Sequence, residues 1–138
     1  MIVRQVLVSL AIALFVGQAT VACGGGMRTP EAVLEEQLRA FHTHVRWGRI
    51  DEASSFVAED HRQVFLGMHE ELGGDFEVTE YEINSIQLDR GDDIAVVSVW
   101  MQWFRLPSTR VESATYREVW TYDKDLRVWQ LTERARAN

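Results

Sequence analysis

The sequence predicts an α+β domain, helices first and an antiparallel meander after, and three observations carry that reading. Up to about residue 72 the apolar residues recur at helical spacing, and from Phe76 onward they recur at every second position. The segments of the second half are joined by very short turns. That makes neighbours antiparallel, because a parallel connection needs a crossover of a dozen residues or more. Helices grouped ahead of strands, rather than alternating with them, define the α+β class.

The elements follow in order. Thr29 is placed to cap a first helix, with Pro30 at its first position and Glu31 beside its positive end. Leu34, Leu38, Phe41 and Val45 then form one apolar stripe of an amphipathic helix that Gly48 ends. A second short helix is expected from Asp51 through Ala53, Phe56 and Val57. Asp60 is expected to cap a third, with Val64, Met68 and Leu72 sharing a face and Gly73-Gly74 closing it. Strands are expected over Val78–Asp89, Ile94–Leu106, Arg110–Asp123 and Val128–Arg134. The turns between them fall at Arg90-Gly91-Asp92-Asp93, Pro107-Ser108 and Lys124-Asp125.

The second strand is apolar on both parities. Ala95, Val97, Val99, Met101 and Trp103 form one uniform set. Ile94, Val96, Ser98, Trp100, Gln102 and Phe104 form a mixed set still rich in large apolar groups. A sheet wetted on one face alternates cleanly, so a partly covered second face is expected, through curvature, a bound partner or a second copy. Of the sheet tryptophans Trp100, Trp103, Trp120 and Trp129, two or three suit the core. Trp100 and Phe104, with Tyr116 and Trp120 on the next strand, are the candidate ligand-facing or subunit-facing residues.

The segment ahead of the domain reads as an address. Arg4, the uncharged run Val6 to Val16 and the small residues before Cys23 make residues 1–22 a signal peptide. The run is too short to span a bilayer, which takes about 20 residues. Thr20-Val21-Ala22 followed by Cys23 resembles a bacterial lipobox, and the resemblance implies an exported lipoprotein with Cys23 as its lipidated first residue. Residues 23–29 are then a glycine tether and 30–138 the domain. The lipoprotein resemblance implies a membrane-anchored location. Gly24 after the cysteine implies the outer membrane where two membranes exist, and the cell surface otherwise.

Composition bounds the partners. The chain carries a formal charge of −7, which disfavours nucleic acid. Its single cysteine leaves no disulfide within the chain, so the domain relies on packing.

Helices followed by long antiparallel strands resemble the nuclear transport factor 2-like superfamily, which includes ketosteroid isomerase-like and SnoaL-like proteins. The local text agrees. Gly48 to Ala53 through Phe56 to Arg62 is similar to the family's small helix and corner. Tyr81-Glu82-Ile83 with Gly91-Asp92 and Ile94 to Val97 resembles its first long hairpin. Trp120-Thr121-Tyr122 with Val128-Trp129-Gln130-Leu131 resembles its closing pair, with Asp123-Lys124-Asp125 where a glycine turn is usual. The resemblance implies a cone, a curved sheet wrapped around the first helix. It also implies that an enzyme of this kind would hold a carboxylate, histidine or tyrosine inside the cone, where burial tunes its pKa.

The residues that fit that role are His42, His44, Asp60, His61, Tyr116, Arg117 and Glu118. His42 and His44 lie about 200° apart on a helix, so one at most faces the cone. Asp60 is more simply a cap, and Glu118 with a neighbouring arginine is expected to be a surface pair. His61 and His69 fall about 80° out of register for a shared metal. No glycine-rich phosphate loop or nucleophile elbow occurs, so no catalytic residue, metal or cofactor is assigned. The sequence therefore points to a lipid-anchored binding domain with a protein partner, a small apolar ligand or a second copy. The alternative is a cone-cavity isomerase or dehydratase acting on a small apolar substrate.

Overall fold

The computed structural model describes residues 26–73 and 75–138, and Cys23 with the leader lies outside them. Helix α1 runs Pro30–Arg46, α2 Ile50–Ser54 and α3 Glu59–Leu72. Strands β1 Phe76–Asp89, β2 Ile94–Arg105, β3 Val111–Asp123 and β4 Val128–Arg136 follow, paired in sequence order as one antiparallel sheet.

The caps behave as the residue types demand. The Thr29 side chain accepts from Ala32 N at 3.3 Å, and Pro30 opens the helix. The buried stripe of α1 is Leu34, Leu38, Phe41, His42 and Val45. Gly48, at φ 67°, takes the left-handed conformation that ends the helix. Two aspartates build the hairpin turns. Asp89 accepts from Gly91 N and Asp92 N, and Asp123 from Asp125 N and Leu126 N. The Asp123 side chain closes a turn that lacks glycine, and Arg127 supplies the positive φ there.

Curvature comes from the pairing itself. Register shifts interrupt β1 between Val78 and Glu80 and again between Ile83 and Ser85, and a third lies in the β3–β4 pair at Val119 and Trp120. Each extra residue bends its strand and increases the twist. The sheet curls far enough that α1 contacts both of its edge strands, β1 and β4. Phe41 sits at the hub, edge-on to Trp120 at 5.4 Å and close to Phe65 at 5.7 Å.

The corner between α2 and α3 is tied to β4 by a parallel bridge, with Ala58 N donating to Leu131 O and Leu131 N to Phe56 O, both at 2.9 Å. Arg62 reaches back to the Ser54 and Val57 carbonyls at 3.1 and 3.2 Å. This anchoring corrects two expectations for α3. Its N-cap is Ala58, and Asp60 lies inside the first turn holding His61. Because Arg62 points at the corner, the helix is turned so that Phe65 is buried and Val64 is exposed. The expected face through Val64 is off by one residue, about 100°.

Candidate functional site

The interior of the cone carries a closed polar cluster centred on Glu118. Glu118 is fully buried, facing inward on β3 between Tyr116 and Trp120. Its Oε1 accepts from His42 Nε2 at 3.1 Å and from Arg134 Nε at 3.0 Å, and its Oε2 from Trp120 Nε1 at 3.2 Å. The β3–β4 register sets Arg134 opposite Glu118, and the buried stripe of α1 delivers His42. The Arg134 guanidinium lies 4.3 Å from the Tyr116 ring centroid, and its Nη2 meets Met101 Sδ at 2.8 Å. His42 stacks on Tyr81 at 5.2 Å.

Burial pushes the Glu118 carboxyl up, but the His42 interaction and hydrogen bond, then the Arg134 charge and the Trp120 hydrogen bond, outweigh it and hold the group at about 2. The ionised carboxylate only accepts, and so does the Leu38 carbonyl, 2.8 Å from His42 Nδ1. Both ring nitrogens of His42 thus face oxygen acceptors, the Leu38 carbonyl and the Glu118 carboxylate. The Glu118 and His42 side chains have no solvent exposure. A carboxylate held this low is a poor base at neutral pH, and no substrate can reach it. The cluster locks α1 onto β3 and β4. This overturns the expectation that Glu118 and an arginine form a surface pair.

A groove of about 360 Å³ opens between the end of α1, α2, α3 and the start of β1, lined by Val45, Ile50, Leu66, His69 and Phe76 among others. His69 Nδ1 donates to the Phe65 carbonyl at 2.9 Å, and its ring packs 4.4 Å from Phe65. Burial first, then the nearby Arg134 charge, lowers the His69 pKa against that backbone bond. His69 is thus neutral at neutral pH, and its Nε2 carries a lone pair. Sequence reasoning weighed His69 only as a metal ligand. Its place four residues after Phe65, on the same helix face, was the signal for this position.

The other expected residues separate. His44 is half-buried against Phe56, with Nδ1 buried and without a hydrogen-bond partner. Asp60 and His61 pair with each other at 2.9 Å at the exposed start of α3, and that bond lowers the Asp60 pKa. Arg117 points outward to Glu133 at 3.1 Å. Trp103, Trp120 and Trp129 are core. Of the four aromatic candidates, Trp100 and Phe104 are half-buried on the outer face of the sheet. Tyr116 lies inside under Arg134, and Trp120 is 0% exposed, so it presents nothing to a partner. Among the described residues no group of three or more His, Cys, Asp or Glu stands together to hold a metal. Nor is any described helix long and apolar enough to cross a membrane.

No family model and no curated protein matches the chain. Solved structures do. An NTF-2-like protein of unknown function from Shewanella oneidensis MR-1 superposes with a TM-score of 0.62 at 12% identity, covering 80% of this chain and 100% of that one. A ketosteroid isomerase-like protein from Erwinia carotovora atroseptica SCRI1043 gives 0.57 at 16% identity, over 81% and 99%. The intermembrane space region of the chloroplast protein ARC6 gives 0.54 at 13% identity, over 80% and 98%. The chain therefore has the nuclear transport factor 2-like fold, an α+β cone. Neighbours this distant define the fold and leave the activity to the site.

Proposed function

We propose that this chain is an exported, membrane-tethered interaction domain that docks a protein partner on the outer face of its sheet. The observation that carries this reading is the contrast between the two faces. The inner face is filled by the chain's own side chains around Glu118. The outer face sets Trp100 and Phe104, each half-buried, on the central β2, while the described helices pack on the edge strands β1 and β4. Tryptophan concentrates at binding hot spots, where it gives large contact area for little lost entropy. The tether rests on the lipobox resemblance at Cys23 and the glycines after it.

A photoreactive amino acid placed at Phe104 in the full chain, expressed in its host, tests the surface. Crosslinks to one discrete protein species, absent when the probe sits at Glu71 on α3, support it. Equal yields from both positions refute it. The tether has a separate test: Cys23→Ser should stop incorporation of labelled fatty acid and release the protein from membranes. Continued lipidation would sink that half of the proposal.

The His69 groove favours a second reading, a small apolar ligand held among Val45, Ile50, Leu66 and Phe76 with His69 Nε2 as acceptor or base. Native mass spectrometry of protein purified gently from its host separates the two. A retained small mass, lost in His69→Trp, supports the groove; a clean mass leaves the outer face as the working surface.

A further inference from the structure

The outer face has a composition as well as a shape. Three rungs of the sheet each align an exposed glutamate of β1 with a residue of β2 and one of β3. They are Glu77–Phe104–Val111, Glu80–Gln102–Ser113 and Glu82–Trp100–Thr115. Residues directly opposite in an antiparallel pair share a face, so all three carboxylates border the aromatic pair. Among the described residues no cation lies within salt-bridge distance of Glu77, Glu80 or Glu82. The cation central on this face, Arg117, is held by Glu133 one rung pair away. The face thus offers a row of negative charge beside an aromatic surface. Shifts at Thr79 and Asn84 break the β1 edge, which disfavours addition of a further strand there.

We propose that the rungs Glu77–Phe104–Val111, Glu80–Gln102–Ser113 and Glu82–Trp100–Thr115 dock a basic, extended segment of a partner protein. This rests on the outer-face reading above and gives that partner its chemistry. The rungs repeat every two residues of β2, about 7 Å. Arginines or lysines at alternate positions of an extended segment repeat at the same distance, so each reaches one carboxylate. Guanidinium is the better head group, because it also stacks on the faces of Trp100 and Phe104. An uncharged segment would strand three carboxylates at the contact, and an acidic one would be repelled. A second copy of this chain would bring its own glutamates against these.

The test is fluorescence anisotropy of a labelled peptide alternating arginine and threonine, titrated with the full chain in detergent micelles. Counterparts with glutamine or glutamate in place of arginine are run beside it, with empty micelles subtracted. The expected result is binding of the arginine peptide alone, weakened by salt. The triple variant Glu77→Gln/Glu80→Gln/Glu82→Gln should bind about tenfold more weakly or worse. Trp100→Ala should weaken it by a similar factor. A control triple, Glu52→Gln/Glu59→Gln/Glu71→Gln, removes the same charge elsewhere and should leave affinity within about twofold.

Each other outcome overturns the proposal in a distinguishable way. Equal losses in both triples would mean diffuse attraction to an acidic protein. Binding of the glutamine peptide that depends on Trp100 but on no glutamate would leave the outer face a docking surface for an uncharged partner. Concentration-dependent dimerisation lost in Trp100→Ala would make the occupant a second copy. No binding by any peptide or copy would remove the basic segment while leaving the crosslinking test of the surface to stand by itself.

Discussion

Trp100 and Trp103 stand three residues apart on one strand and inhabit opposite faces. Trp103 is buried, 5.7 Å from Phe76 and 6.3 Å from Tyr116. Trp100 shares its rung with Glu82 and Thr115 and keeps part of its ring in water. The same contrast runs through the charges. Inside, one carboxylate is ringed by an imidazole, a guanidinium and an indole. Outside, Glu77, Glu80 and Glu82 line an edge strand, and among the described residues no cation lies within salt-bridge distance of them. Charge on the inner face is paired within a closed cluster, while on the outer face Arg117 meets Glu133 and the three glutamates of β1 stay exposed. The difference teaches that burial, and not residue type, assigns each carboxylate its work.

The largest effect should come from breaking the inner cluster. Glu118→Gln leaves the Arg134 guanidinium buried with no counter-charge and His42 without its carboxylate, and loss of one partner from a buried ion pair costs about 3–5 kcal/mol. Urea denaturation should show it directly. Glu82→Gln on the outer face should move the same curve by less than about 0.5 kcal/mol. If the two variants unfold alike, the separation of roles between the faces fails.

The tryptophans give the apolar version. Trp103→Ala should cost about 3–5 kcal/mol, while Trp100→Ala should cost about 1 and leave the fold intact. A large loss at Trp100 would place it in the core and remove the outer face as a surface to study.

Acid should destabilise the fold in two steps, first at the His69 groove and then inside the cone. His69 is lowered in the fold from its ordinary 6.5, so the unfolded chain takes up that proton first and stability falls as pH drops below 6.5. Glu118 is held at about 2 against an ordinary 4.5, so its contribution is complete above 4.5 and is lost as pH falls toward 2. Unfolding free energy measured against pH should show both windows. His69→Gln should flatten the upper one and Glu118→Gln the lower.

Much of this was legible in the chain. The switch from helical to alternate spacing gave the class and all four strands, because a half-buried strand repeats every two residues and short turns fix its neighbours. Parity placed Trp100 and Phe104 opposite the uniform stripe of β2, as the fold has them. Two things were not legible. The rotation of α3 is set by Arg62 bonding to carbonyls of the α2 corner, a contact that spacing within α3 does not encode. The burial of Glu118 was readable in part, since it shares the parity of Ala114 and Trp120. Its partners come from α1 and β4, and only the closed fold brings those together.

The smallest stability effect falls at the outer pair, Arg117 and Glu133. Arg117 and Glu133 are each about half exposed, 51% and 57%, and meet at 3.1 Å across β3 and β4. Exposed pairs of this kind contribute little, so Arg117→Gln should change unfolding free energy by no more than about 0.5 kcal/mol. The same substitution removes the central cation from a face otherwise bordered by acids, and it frees Glu133. Affinity for the alternating arginine peptide should therefore rise severalfold at low salt and lose that gain at high salt. On the inner face the matching removal, Arg134→Gln, should do the reverse, costing stability without touching peptide binding in the protein that remains folded. A face where charge governs recognition and a face where it governs folding should be separable by these two arginines alone.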